Sequence, residues 1–114
     1  MPPRDLQERT RLFALAGYKE ANEEGDQLRR AARAVRRNYR AARRGRSRAE
    51  FEAKLGTVFE EADECVDCLE ALRDTKIKTD AALIQEAREL ASIFAKSVST
   101  ARKNTRRSKD LPNS

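Results

Sequence analysis

A chain of 114 residues has room for one domain with one hydrophobic core, and not for two. Charged and hydrophobic residues each make up 39% of it, only 5% are aromatic, and the formal net charge is +6, a balance typical of long amphipathic helices. No apolar run reaches the roughly 20 residues of a membrane-spanning helix, and the N-terminus lacks the apolar stretch of a signal peptide. We therefore expect a cytoplasmic protein with no membrane partner.

The first helix is predicted over residues 5–20, after an N-terminal extension of residues 1–4. Apolar residues recur at helical spacing along it, namely Leu6, Phe13 and Ala16. The residues that follow predict a loop with a helix cap, formed by Asn22, Gly25 and Asp26.

The second helix, predicted near residues 27–44, separates two kinds of side chain on a helical wheel. One side is apolar and consists of Leu28, Ala31, Ala32, Val35, Tyr39 and Ala42, with Ala34 and Ala41 beside them. A separate, contiguous arc, called here the arginine arc, consists of Arg29, Arg30, Arg33, Arg36, Arg37, Arg40, Arg43 and Arg44. Asn38 lies on the apolar side. Because a buried amide needs a hydrogen-bond partner, we expect Asn38 to fix helix register or an oligomer contact.

The third helix has the clearest predicted start. Gly45 and Arg46 predict a turn, and Ser47 followed by Glu50 is the pattern of a capping box. Apolar residues at steps of four and three then form a heptad seam typical of a bundle, namely Phe51, Leu55, Val58, Ala62, Cys65, Leu69 and Leu72. Phe59 and Val66 form a second row beside this seam, so the helix is expected to contact more than one neighbour.

A fourth helix is predicted to begin with a cap at Thr79 or Asp80. Its expected core face is Leu83, Ala87, Leu90, Phe94, Val98 and Ala101. After Asn104 the chain is polar and basic, which predicts a disordered tail over residues 105–114. The four helices together predict a single all-α domain, a four-helix bundle over residues 5–104.

Charge is segregated along the chain. Between Asp26 and Arg48 there are ten arginines and one acidic residue, whereas residues 50–80 hold ten acidic residues and four basic ones. From Thr100 to the end there are five basic residues and one acidic residue. The modest net charge therefore conceals a cationic second helix and an anionic third one.

Several stretches carry a family resemblance: QLRRAA at 27–32, NYRA at 38–41, SRAEFEAKL at 47–55, EADE at 61–64, EAREL at 86–90 and TAR at 100–102. On these residues the chain resembles the four helix bundle protein family, also called the 23S rRNA intervening-sequence protein family. The resemblance implies an antiparallel, up-and-down four-helix bundle, and it does not imply an enzymatic activity.

The resemblance also implies an assembly and partners. Members of the family look like ring-shaped homo-oligomers, typically pentamers. Related accessory proteins of diversity-generating retroelements bind nucleic acid and a reverse transcriptase through basic surfaces. Many members carry an aromatic pair late in the third helix where this chain has Asp67 and Cys68, so the packing or interface built there is expected to differ.

The arginine arc has two interpretations. It is a solvated helix face, partly neutralised by the acidic third helix, or it is a surface that contacts phosphates. The second is favoured because a guanidinium fork matches phosphate oxygens, whereas a merely soluble face mixes charges of both signs. No aromatic side chain lies within the arc, so we expect recognition of the backbone with little reading of sequence. The predicted nucleic-acid-binding residues are Arg29, Arg33, Arg36, Arg37, Arg40, Arg43, Arg44, Arg46, Arg48, Arg106 and Arg107.

Cys65 and Cys68 are interpreted as structural. Zinc would need two further ligands, and the chain has no histidine and no other cysteine. The pair lies in the middle of a predicted helix beside Glu64 and Asp67, which disfavours a reactive thiolate.

The acidic residues of the third helix are also interpreted as structural. Helical di-iron sites use inward-facing Glu-x-x-His motifs, and this chain has no histidine. We expect Glu61 and Glu64 to pair instead with arginines of a neighbouring helix or subunit. No catalytic, metal or cofactor site is predicted.

The sequence therefore predicts a non-catalytic, oligomeric helical bundle that binds nucleic acid electrostatically, with structured RNA as the first candidate. The alternative is a protein-interaction or scaffold module, such as an accessory subunit of a reverse transcriptase. Binding to a membrane surface is disfavoured because the apolar side of the basic helix is mostly alanine and inserts poorly.

Overall fold

The computed structural model describes residues 6–15, 23–74 and 80–110. These residues form four helices: α1 (Leu6–Leu15), α2 (Glu23–Arg43), α3 (Arg48–Asp74) and α4 (Ala81–Asp110). No strand occurs in the described ranges, and the predicted all-α class is confirmed. None of the described helices is long and apolar enough to cross a membrane.

Contacts between the helices run in a ring, from α1 to α2, α2 to α3, α3 to α4 and α4 back to α1. The helices form one elongated bundle of 57 × 23 × 22 Å. The contact between α4 and α1 includes Arg9 of α1, whose guanidinium donates hydrogen bonds of 3.0 Å to Glu86 and to Glu89 of α4. The single-domain four-helix bundle predicted from the sequence is therefore confirmed.

The direction of the helices follows from which ends meet. The end of α3 reaches the start of α2, where Cys68 Sγ lies 3.9 Å from Gln27 Oε1. Likewise, Arg43 at the end of α2 donates a 2.9 Å hydrogen bond to the side chain of Gln7 near the start of α1. Neighbouring helices in each of these pairs therefore run antiparallel.

The ends of α3 and α4 are paired in the same way. Arg88, early in α4, lies 3.4 Å from Glu70, late in α3. At the opposite end of the bundle, the hydroxyl of Thr105 donates a 2.8 Å hydrogen bond to Glu52. The topology is up-and-down, as the family resemblance implies.

The predicted start of α3 is confirmed at Ser47. Its Oγ accepts a hydrogen bond of 3.1 Å from the backbone N–H of Glu50. In an ideal capping box the Glu50 carboxylate would accept a hydrogen bond from the backbone N–H of Ser47. Here it accepts instead from the backbone N–H of the preceding residue, Arg46, at 3.3 Å. Gly45 allows the tight turn before this cap, since a Cβ there would lie only 3.2 Å from the carbonyl oxygen of Ala42.

Asp80 caps α4, because its Oδ1 accepts a 2.9 Å hydrogen bond from the backbone N–H of Ala82. The alternative cap, Thr79, lies outside the described residues. The core face of α4 differs from the prediction at its first turn. Ile84 is buried there, whereas Leu83 is only partly buried. Ala91 joins the remaining predicted residues of that face in the core.

At the centre of the core, side chains of the diagonally opposite helices α2 and α4 are in contact. The rings of Tyr39 in α2 and Phe94 in α4 have centroids 5.4 Å apart and are tilted by 54°. The predicted apolar side of α2 is buried around Tyr39, and so is the α3 seam from Leu55 to Leu72. Phe51 is only partly buried, and the second row of α3, Phe59 and Val66, is partly buried against the core.

The start of α2 corrects the sequence prediction. The helix begins at Glu23, so Gly25 and Asp26 lie within its first turns and not in a loop. Gly25 is buried in the folded bundle. Glycine disfavours a helix by roughly 1 kcal/mol, so tertiary packing must offset this cost. Asn22 and residues 16–20 of the predicted first helix lie outside the described residues.

The end of α4 also differs from the prediction. The helix continues to Asp110, where a disordered tail is predicted from residue 105. Contacts to α3 give the physical reason, because Glu52 accepts the Thr105 hydrogen bond and lies 3.8 Å from Arg102. A polar segment can remain helical when its backbone bonds are complete and its side chains are tied to a neighbour. Residues 111–114 lie outside the described residues.

Leu69→Ala tests the core. Leu69 is fully buried, so truncating it should lower the free energy of unfolding by about 2–5 kcal/mol. Leu12→Ala is the matched control, because Leu12 is 53% exposed and its truncation should change stability by no more than about 0.5 kcal/mol. Urea denaturation followed by circular dichroism measures both. Equal losses in the two variants would contradict the assignment of the core.

Candidate nucleic-acid interface

The arginine arc lies on the outside of the bundle because the opposite side of α2 is buried. Leu28, Val35 and Tyr39 hold that side against the other helices. Arg29 is half-buried, and the other arginines of the arc are exposed. Burying an unpaired guanidinium would be costly, so the amphipathic pattern fixes which way these side chains face. The arc runs along α2 for about 22 Å from Arg29 to Arg44, at about 1.5 Å per residue.

Most of the arc has no acidic partner in the described part of the chain. Arg29 pairs with Asp26 of its own helix, and Arg43 bonds to the neutral side chain of Gln7. Within residues 6–15, 23–74 and 80–110, no carboxylate lies within ion-pair distance of the remaining arc guanidinium groups, those of Arg30, Arg33, Arg36, Arg37, Arg40 and Arg44. The sequence predicts that the acidic residues of α3 neutralise part of the positive charge of the arc. In the described residues of one protomer, they form no ion pairs with these six arginines.

A recess of about 290 Å³ lies where the arc meets α1. Arg36 and Arg40 line it from α2, and Gln7, Glu8 and Arg11 line it from α1. Glu8 pairs with Arg11, and the hydrogen bond from Arg11 lowers the pKa of the Glu8 carboxyl, with a smaller contribution from Arg36. The α1 side of the arc therefore contains an ionised carboxylate that offsets part of its positive charge.

A larger open groove, called here the turn groove, has a volume of about 600 Å³ and lies where the arc meets the start of α3. Its lining residues are Arg37, Arg40, Ala41, Arg44, Arg46, Glu50 and Lys54. Arg40 lines both this groove and the recess beside α1, so it occupies the middle of the cationic surface. Lys54 is not among the binding residues predicted from the sequence, where it stands out only as a basic residue in an otherwise acidic stretch.

The remaining predicted binding residues lie at the same end of the bundle as the turn groove. Arg46 belongs to the α2–α3 turn, and Arg48 donates a 3.4 Å hydrogen bond to the backbone carbonyl of Asn104. Arg106 and Arg107 are exposed one turn further along α4. They do not share the α2 face, because α4 packs on α3 and α1 in the described part of the chain. The structure therefore divides the predicted site into a long α2 face and a basic end.

Several acidic side chains of α3 lie outside the two cationic recesses, whereas Glu50 lines the turn groove. Glu60, Asp63, Glu64 and Asp67 line a separate shallow recess with Glu70 and Val66. In the described ranges, no group of three or more His, Cys, Asp or Glu side chains is arranged to hold a metal ion.

The ion pairs expected of Glu61 and Glu64 are absent from the described residues of one protomer. Burial raises the pKa of Glu61, and the charges of Glu64 and Glu60 raise it further. Arg37 and Arg30 act in the opposite direction but do not reverse the shift. Pairing across subunits stays a prediction.

Asn38 meets its hydrogen-bonding requirement within its own helix. Its Nδ2 donates a 2.9 Å hydrogen bond to the backbone carbonyl of Ala34, one turn earlier. The side chain is half-buried. The bond does not link α2 to another helix, so within this protomer Asn38 does not set interhelical register; the predicted oligomer contact stays a prediction.

The two cysteines belong to the core. Neither cysteine forms a disulfide, both are buried, and Cys68 lies against Gln27. Burial raises the pKa of the Cys65 thiol well above its ordinary value, and the proximity of Cys68, Glu61 and Glu64 adds to the rise. The expectation that this environment disfavours a thiolate is therefore confirmed for Cys65.

Comparisons with known proteins identify the fold. Neither a family model nor a curated protein matches the chain. A solved structure from Bacteroides thetaiotaomicron matches with a TM-score of 0.73 and 21% sequence identity, over 82% of this chain and 97% of the other. That protein is described as one of unknown function from the S23 ribosomal protein family. The two proteins share a helical fold.

Thiol labelling tests the assignment of the cysteines to the core. Neither Cys65 nor Cys68 should react appreciably with Ellman's reagent in the native protein, because both thiols are buried and the thiolate of Cys65 is disfavoured. Both should react fully in concentrated urea. Ser99→Cys provides a positive control, since Ser99 is exposed on α4 and its thiol should react at once. Rapid labelling of a native wild-type thiol would disprove the assignment.

Proposed function

We propose that this protein is a non-catalytic RNA-binding bundle that holds structured RNA by its phosphates through the arginine arc of α2. The observation that carries the proposal is the concentration of exposed guanidinium groups without acidic partners in the described part of the chain. Arginine forms forked hydrogen bonds to phosphate oxygens and retains its charge at any physiological pH. Backbone contacts of this kind give affinity with little sequence specificity.

We also propose membership of the 23S rRNA intervening-sequence protein family, with homo-oligomeric assembly, pentameric by that resemblance. The quoted sequence stretches support this, and the shared helical fold with a protein of the S23 ribosomal protein family is consistent with it. In a closed ring every α2 would contribute its own arc, which would multiply the contacts with a long polyanion. The proposed location is the cytoplasm, where cysteines outside disulfides, such as those of α3, stay reduced.

Salt dependence provides the first test. The six arc guanidinium groups that form no ion pair with a carboxylate in the described residues can each contact one phosphate, and each contact contributes about 0.7–0.9 to the salt slope. The logarithm of the association constant for a labelled RNA hairpin should therefore fall with the logarithm of salt concentration at a slope of about −4 to −5 per protomer engaged. Fluorescence anisotropy across a salt series, on protein freed of co-purifying nucleic acid, measures this slope.

The absence of RNA binding at low salt would contradict the proposal. The arginine arc would then be an interface for an acidic protein or a reverse transcriptase, or only a solvated face. A pull-down against those partners would separate these two outcomes.

Replacing Arg33, Arg36 and Arg40 together with Gln tests the location of the site. None of the three forms an ion pair with a carboxylate in the described residues, so helicity and thermal stability should be retained. RNA affinity should fall by about 100-fold or more at 0.1 M salt, since each guanidinium that no longer binds a phosphate makes the salt slope shallower by about 0.7–0.9.

The matched control replaces Arg73, Arg88 and Lys96 with Gln. These three exposed cations lie late in α3 and in α4, and their removal changes the net charge by the same amount. The control should remain folded, because exposed ion pairs contribute little to stability. It should lose only a small part of the RNA affinity, because the arginine arc is left intact. If both triple variants bind equally weakly, net charge and not the arc governs binding.

A further inference from the structure

The turn groove differs from the rest of the cationic surface in its shape. Two concavities interrupt the convex face of α2, the recess beside α1 and the turn groove, and the turn groove is the larger of the two, with walls from α2 and α3. Ala41, which is half-exposed, contributes only a methyl group to its lining. A larger side chain at this position would occupy space between Arg37, Arg44 and the start of α3.

The turn groove also differs in its charge. Five cationic side chains and one carboxylate line it. That carboxylate, Glu50, accepts the backbone N–H of Arg46 and so belongs to the cap of α3. In the recess beside α1, by contrast, Glu8 is paired directly with a cation of the lining, Arg11. The groove therefore combines the greater cationic excess with the greater volume.

Lys54 is the cation that α3 adds to the groove. The rest of α3 is strongly acidic, and its only other lysine or arginine residues, Arg48 and Arg73, lie near its two ends. No carboxylate in the described ranges lies within ion-pair distance of the Lys54 ammonium. Because this ammonium group lines the same groove as four arginines of α2 and the turn, a phosphate in the groove can contact cations from two helices.

We propose that the turn groove is a phosphodiester-binding subsite in which a segment of RNA backbone lies between the arginines of α2 and Lys54 of α3. The inference rests on the proposed function and adds to it a defined position for the backbone, a new phosphate ligand, and a role for the small size of Ala41. The chemistry recognised is the phosphate group and not the base.

Ala41→Leu tests the subsite without changing any charge. Leucine is nearly as good a helix former as alanine, and its side chain would fill the groove. RNA affinity at 0.1 M salt should fall by about fivefold for each phosphate excluded from the groove, and the salt slope should become shallower by about 0.7–0.9 for each of those phosphates. Ala95→Leu, at an exposed position of α4, is the control and should bind as the wild type does.

Lys54→Gln provides a second, independent variant. It should make the salt slope shallower by about 1, whereas Lys96→Gln, which removes an exposed lysine of α4, should leave the slope almost unchanged. Circular dichroism establishes that all four single variants remain folded. The same labelled RNA hairpin serves as the probe throughout.

The outcomes separate the two proposals. If the wild type binds RNA and the Arg33, Arg36 and Arg40 variant does not, but both groove variants bind as the wild type does, the subsite is disproved and the arc remains the site. If the wild type binds no RNA, both proposals fail. Loss of affinity in Ala41→Leu with retention in Ala95→Leu supports the subsite, because net charge is identical in the two.

Discussion

The burial of the apolar side of α2 determines where the positive charge of this protein lies. Leu28, Val35 and Tyr39 anchor that side, and the alanines between them allow neighbouring helices to pack closely. A helix has one orientation that buries such a side, so the arginines on the remaining arc must face solvent. The position of the cationic surface is therefore a consequence of core packing.

This arrangement carries an electrostatic cost. Arginines three and four residues apart lie within about 5–6 Å at their Cβ atoms, which is shorter than the Debye length of roughly 8 Å at physiological salt. Each such pair of like charges disfavours the helix by a few tenths of a kcal/mol. A surface that mixed glutamate with lysine would be more stable, so the folded core must offset the repulsion. A bound polyanion would relieve it, which makes the cost consistent with a binding surface.

Much of the fold could be predicted from the sequence because its signals are local. Ser47 marks the start of α3 through a side-chain hydrogen bond to the next turn, and the heptad seam marks the buried face of that helix. The start of α2 could not be predicted in this way. Gly25 disfavours a helix in isolation, and only its burial in the folded bundle explains why the helix includes it. The helical end of α4 likewise depends on Glu52, which is 53 residues away in sequence from Thr105.

The candidate site also has one part that could be predicted from the sequence and one part that could not. The arginine arc is visible on a helical wheel because it belongs to one helix. The turn groove is not, since it exists only when the end of α2 and the start of α3 are placed side by side. The sequence shows only that Lys54 is charged and that Ala41 is a small residue next to the apolar side of α2. Neither property predicts that the two residues line one groove. The roles proposed for these two residues rest on the tertiary structure.

The cationic surface extends from the side of α2 onto one end of the bundle, where the end of α4 meets the start of α3. Arg48 contacts the backbone at Asn104, and Thr105 contacts Glu52, so α4 delivers its basic residues to the end where α2 and the turn groove lie. The surface therefore runs along α2 and then continues across a bundle end about 22 Å wide. A straight, rigid duplex lying along α2 would leave that end uncontacted. An RNA that bends, as folded RNAs do at loops and bulges, can follow both directions, which is why structured RNA is the ligand we propose and not a regular double helix.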